Sequence, residues 1–222
     1  MNIMTLSMAE RTNKNDYQII GLNLDNQEIV SLVGISRENI CSENKDNWDI
    51  GAITEVENLI STGANDMSYF VEGKVKLENE FNRELFLKIL KMKSHGRSNF
   101  FLNEKDTYDI IRIHRLDDIY QKDGKHYIKA IIAAKSDNIY QAISDNGIKQ
   151  QDGMYMHADL LVKDVRWVNY WNWAIKTGVY EEKRVIYRKQ FNKMYHDKYI
   201  IIYRHRYPYN RSYYWVTGLH LL

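Results

Sequence analysis

The C-terminal end of the chain reads as one long hairpin. Lys198–Arg206 meets the turn Tyr207-Pro208-Tyr209-Asn210-Arg211, and Ser212–His220 returns. Residue types alternate with period two along both arms, so each arm presents two distinct faces to its surroundings. On the first arm Lys198, Ile200, Ile202, Arg204 and Arg206 share one face, and Tyr199, Ile201, Tyr203 and His205 share the other. Across the turn Tyr213 and Trp215 fall on one face, and Tyr214 and Val216 on the other.

Further alternating segments lie upstream. Tyr17–Leu24, the turn Asp25-Asn26-Gln27 and Glu28–Ile35 form an early hairpin. Met67–Leu77 reads as a strand, as do Tyr108–His114 and Lys125–Ala133, the latter following the turn Lys122-Asp123-Gly124. Ala158–Val168 begins strand-like and runs into Tyr170-Trp171-Asn172-Trp173. Ile53, Val56, Leu59 and Ile60 stand at helical spacing and predict a helix over 52–61, ended by Gly63, although Ile50–Val56 also alternates loosely like a strand. Apolar residues on neighbouring faces predict a second helix over 80–93, and 137–143 reads as a helical turn or short strand. Residues 1–16 show no period and are expected to be a disordered lead-in.

Strands separated by turns, with few helices, predict a mainly β (α+β) chain of small barrels or antiparallel sheets. The loop Ser94–Asn99 divides it into 17–95 and 96–222. With one cysteine, Cys41, the chain holds neither an internal disulfide nor a Cys-rich zinc site. No run reaches the ~18 apolar residues of a membrane span, and no signal-peptide pattern opens the sequence. No membrane association and a cytoplasmic location are expected. The strings G-x-x-x-x-G-K-[ST] and G-x-G-x-x-G do not occur, and no cofactor is expected.

Charge is unevenly spread. The formal net charge is +2, yet the last 40 residues carry +8 and the first 182 carry −6. The basic stretch also holds eight tyrosines between Tyr187 and Tyr214. Cations hold phosphates and aromatic rings stack on bases, so this pattern points to RNA or single-stranded DNA as partner. The candidate binding residues are Lys198, Tyr203, Arg204, Arg206, Tyr207, Arg211, Tyr213 and Trp215. A solvated basic face above a tyrosine-lined core is the plainer reading of the same hairpin.

Catalytic patterns are thinner. His114 and His126 lie on the two arms of the 108–133 hairpin and would face each other as an acid–base pair. Glu72-Gly73-Lys74, and Glu181-Glu182-Lys183 with Asp164, have the composition of a metal-nuclease site. Arg204, His205, Arg206, Tyr207 and Arg211 supply the residue types of a metal-free endoribonuclease. No residue is singled out as catalytic or metal-ligating, so a nuclease is the alternative. A module docking on acidic proteins, or on a second copy as a homo-oligomer, is another.

The segment VSLVGISRENICSENKDNWDIGAITEVE after the first hairpin resembles the start of bacterial dual OB-like domain proteins. Leu160–Trp167 and Trp215–Leu219 resemble later strands of such barrels. The resemblance implies two OB-like barrels and nucleic-acid contact, and it brings no catalytic residues. The family's Cys-containing opening is missing ahead of Tyr17.

Overall fold

The computed structural model describes residues 1–11, 16–37, 40, 48–63, 68–79, 81–94, 107–133, 148–152, 155–207 and 211–222. The chain is mainly β and divides into two units, Met1–Lys91 and Met92–Leu222, four residues ahead of the expected boundary.

In the first unit, β1 (Asn2–Glu10), β2 (Tyr17–Asn23), β3 (Ile29–Ile35), β4 (Ile53–Ser61) and β5 (Ser68–Asn79) close a barrel in the order β1-β2-β3-β5-β4. All neighbouring pairs are antiparallel except β3 with β5. The disordered lead-in expected for 1–16 is therefore corrected over Asn2–Glu10. Met4, Leu6 and Met8 alternate there with Thr5 and Ser7, and all five are buried between β2 and β4. Small polar residues on one face hid the alternation. Gly21 on β2 admits this strand, since a Cβ there would collide with the Ile3 side chain.

The helix expected over 52–61 is also corrected, because β4 occupies it. Thr54 and Val56 point inward, and the pairing with β5 then slips between Val56 and Asn58. Such a bulge resets the alternation of a strand and spaces its apolar residues as a helix would. The helix expected at 80–93 is present as α1 (Arg83–Lys93). Asn82 Oδ1 accepts the Leu85 amide at its start, and Phe86, Ile89 and Leu90 are buried.

The second unit holds β6 (Tyr108–Lys122), β7 (Lys125–Ala133), β8 (Ile148–Asp152), β9 (Tyr155–Val162), α2 (Val165–Lys176), α3 (Tyr180–Met194), β10 (Lys198–Tyr207) and β11 (Arg211–Leu221). The sheet runs β11-β10-β6-β7-β9-β8, and β11 also pairs with β9, in parallel. Five strands thus form a ring, β6-β7-β9-β11-β10, with the same internal order and the same single parallel pair as the first barrel. Ile111, Ile113, Ile128, Leu160, Ile200, Ile202 and Val216 line its core, which Trp171 and Ala174 of α2 and Phe191 of α3 complete.

The strand expected to run on past Val162 is corrected to a helix. Asp164 ends β9 and caps α2, accepting the Arg166 amide at 3.0 Å. Trp167, Tyr170, Trp171 and Trp173 consequently lie on α2, and Trp171 is buried. Helix α3 is clamped to β6 by a forked ion pair from Arg184 to the buried Asp118, with bonds of 3.1 and 2.8 Å. Asn192 also exchanges both amide groups with the Leu116 backbone, at 3.0 and 2.8 Å, beside an irregularity in the β6–β7 pairing. Asn192→Ala is expected to lower unfolding free energy by about 1–3 kcal/mol in urea titration, because it strips a buried peptide of both partners. The expected element at 137–143 and Cys41 lie outside the described residues. No helix among the described residues is long and apolar enough to cross a membrane.

Candidate nucleic-acid interface

Charge follows the two units. Met1–Lys91 has 15 acidic and 9 basic residues, whereas Met92–Leu222 has 14 and 22. The hairpin is not where most of the basic stretch lies. Lys183, Arg184, Arg188, Lys189 and Lys193 are on α3.

The face of β10 expected to hold its cations in water is buried, and on the other face Tyr199 and Ile201 are buried too. Ile200 and Ile202 belong to the core, so the face they share with Lys198 and Arg204 points into the barrel. Lys198 is 5 % exposed and Arg204 9 %. Lys198 Nζ donates to Tyr195 O at 2.7 Å, and burial, with Arg112 nearby, pulls its pKa below the ordinary lysine value. The Arg204 amide donates to Thr107 O at 2.8 Å. Neither residue belongs to a solvated basic face.

The opposite face carries the aromatic residues. Tyr203 is in register with Tyr108 on β6 and with Trp215 on β11. The rings follow one another at 5.2 and 5.8 Å between centroids, tilted by 30° and 39°. Lys163, just past β9, holds its ammonium 5.5 Å from the centre of the Trp215 ring. All four side chains are half-buried. The result is a file of three rings across three adjacent strands with a cation at its end. Sequence reasoning found Tyr203 and Trp215 and missed Tyr108 and Lys163. Tyr108 opened a recognised strand, but only the β6–β10 pairing makes it a neighbour.

For the other expected residues the backbone register is defined. Arg206 pairs with Ser212, Tyr207 with Arg211, and His205 with Tyr213. Their side chains lie outside the described part of the structure.

The same outer face continues around the ring. Trp215 is in register with Leu161, Leu161 with Tyr127, and Tyr127 with Tyr120. Tyr120 donates to Asp159 at 2.6 Å, and burial, reinforced by that bond, raises its pKa well above the ordinary value. On α3, Tyr187 is also raised, first by burial and then by its bond with Tyr170. Both side chains therefore keep their protons in the folded state where the unfolded chain loses them, near pH 10.0. The unfolded state then binds fewer protons, so stability falls as pH climbs past that value. A near-ultraviolet titration is expected to show at least Tyr120 and Tyr187 ionising only as the protein unfolds, with Tyr180 and Tyr199 shifted the same way; ordinary titration of every tyrosine in folded protein would refute this.

Among the described residues neither the His114/His126 pair nor the Asp164/Glu181 pattern assembles, and the side chains of His205, Arg206, Tyr207 and Arg211 lie outside them. His126 is buried opposite Gln121, with Nε2 2.8 Å from Asn172 Oδ1, whereas His114 is exposed farther along β6. Asp164 is engaged as the cap of α2, and Glu181 lies 3.6 Å from Arg184. Among the described residues no group of three or more His, Cys, Asp or Glu could hold a metal ion.

No protein-family model matches the chain, and no curated protein matches it. Among solved structures, it is matched by a murine DNA-binding protein bound with double-stranded DNA. The two are 7 % identical over 98 % of each chain, with a TM-score of 0.33. A likeness at that score establishes neither fold nor function.

Proposed function

We propose that the protein binds single-stranded nucleic acid, RNA or DNA, on the outer face of its second barrel. The observation that carries this reading is the file Tyr108–Tyr203–Trp215 ending at Lys163. Rings at a sheet surface stack on bases of any identity, and neighbouring cations hold the phosphates. The excess of basic residues in this unit supports the same partner, through attraction that needs no sequence.

The strand order supports an OB-type reading of both units. Each ring follows the order first-second-third-fifth-fourth with a parallel third–fifth pair, and in the second unit two helices link the third and fourth strands. OB folds are five-stranded, partly open Greek-key barrels that take up oligonucleotides and oligosaccharides. Fold analogy does not assign a ligand, and the aromatic file does that here.

Binding of a fluorescent oligothymidylate or oligouridylate is expected to weaken steeply with salt. The logarithm of affinity should fall by about 0.7 per phosphate contact for each unit of log salt. A protein that binds neither polymer at low salt would refute the proposal. Preference for duplex over single strands would refute the stacking mode.

A further inference from the structure

We infer that Tyr120 and Tyr127, with Lys129 beside them, form a second stacking subsite for the same strand. This rests on the reading of the outer face as a single-stranded nucleic-acid surface. Trp215, Leu161 and Tyr127 are register partners on β11, β9 and β7, so one file of side chains runs from the first ring cluster to the second. Leu161 is half-buried and apolar, which keeps the file unbroken by charge between the clusters.

The second cluster is built to stay in place. The Tyr120 and Tyr127 rings stack at 5.4 Å with only 17° between their planes. Both are half-buried, and their strand neighbours Ile119 and Ile128 are anchored in the barrel core. The Tyr120 hydroxyl is tied to Asp159, and Lys129 Nζ stands 5.1 Å from the Tyr120 ring centre. Fixed rings lose little freedom when a base arrives, and preorganisation of this kind favours binding. Each cluster also has its own lysine, Lys163 at one and Lys129 at the other, in place to meet a phosphate. Asp159 faces the same surface, and its carboxylate is engaged by the Tyr120 hydroxyl.

One strand occupying both clusters makes affinity depend on length. The decisive experiment compares oligothymidylates of about 4 and about 12 nucleotides, lengths that bracket the site sizes of single OB barrels. The longer is expected to bind wild-type protein at least about 10-fold more tightly than the shorter, beyond the gain from extra binding registers. Tyr127→Ala is expected to remove most of that difference and to change binding of the short oligomer by less than about twofold. Ultraviolet cross-linking of wild-type protein to the long oligomer should label the peptide spanning Tyr120 and Tyr127, as well as one containing Trp215.

If Tyr127→Ala, folded as judged by circular dichroism, binds the long oligomer as wild type does, the second subsite is overturned. So it is if only the Trp215 peptide cross-links. The wider reading survives both results provided Trp215→Ala still weakens binding. If neither oligomer binds wild-type protein, the reading itself has failed and the subsite falls with it. Cross-linking needs no substitution, so a Tyr127 variant that does not fold leaves the test intact.

Discussion

Trp215→Ala is expected to weaken binding of a single-stranded oligonucleotide about 5- to 150-fold, the range for one base losing its stacking partner. The ring sits between Tyr203 and Lys163, at 5.8 and 5.5 Å. Removing it takes away a stacking surface and also the body that holds the lysine over the face. Trp215→Phe retains a π-face and should recover most of the loss. The double variant Tyr203→Ala/Trp215→Ala should fall further, although neighbouring rings need not add independently. Fluorescence anisotropy at low salt reads the affinity, and circular dichroism shows that the fold is kept. Folding should survive, because the neighbouring Val216 fills the core while Trp215 faces outward and is half-buried. Unchanged affinity in the folded double variant would remove the aromatic file from the binding surface.

Asp164→Ala is expected to cost about 2–4 kcal/mol of unfolding free energy, the sum of an orphaned buried amide and a lost helix cap, while Arg166, 39 % exposed, is left to solvent. The Asp164 side chain is fully buried. Its carboxylate accepts the Arg166 amide at 3.0 Å, the Leu219 amide at 2.9 Å and the Arg166 guanidinium at 3.0 Å. One side chain therefore starts α2, holds β11 and neutralises an arginine. Alanine leaves the Leu219 amide buried without its acceptor and α2 without its cap, two losses that each cost about 1 kcal/mol or more. Trp167, whose indole donates to Leu219 O at 2.8 Å, loses the alignment of its partner. Asp164→Asn keeps an acceptor and should cost less than the alanine variant. Urea unfolding followed by tryptophan fluorescence measures both. A loss below about 1 kcal/mol for alanine would show that Arg166 and the Leu219 amide find other partners.

The sequence made the β character legible through period two, at the two hairpins above all. Both β2–β3 and β10–β11 lie within or close to the segments their alternation predicts. Bulges obscured part of the rest, because an inserted residue turns a strand's spacing into that of a helix, as at β4. Small polar residues obscured β1, whose Thr5 and Ser7 lie in the barrel yet look like coil.

The direction of a face was harder to read. In an isolated strand, Lys198 and Arg204 mark the wet side and Tyr203 the dry one. The β10 strand departs from this because Ile200 and Ile202 belong to the barrel core, and Tyr199 and Ile201 on the other face are buried too. Burial is a property of what packs from elsewhere, and period two says only which residues travel together. For the same reason Tyr108 and Lys163 carry no local mark of belonging with Trp215, since tertiary pairing alone makes them neighbours.

The parallel closure of β11 on β9 also bears on how the second barrel comes into being. Fifty-three residues lie between the paired Val162 and Val216, and that interval holds α2, α3 and β10.

 Val162 and Val216 are the partners that close the ring, so closure has to bring together positions at the two ends of that interval. Contacts between residues so far apart in sequence slow folding, because loop-closure entropy is spent before the pairing rewards it. On a ribosome, β6, β7 and β9 emerge first and wait with an unsatisfied strand edge until β11 has been synthesised. Until then the barrel is an open sheet, with Leu161 and Val162 of β9 still lacking their β11 partners.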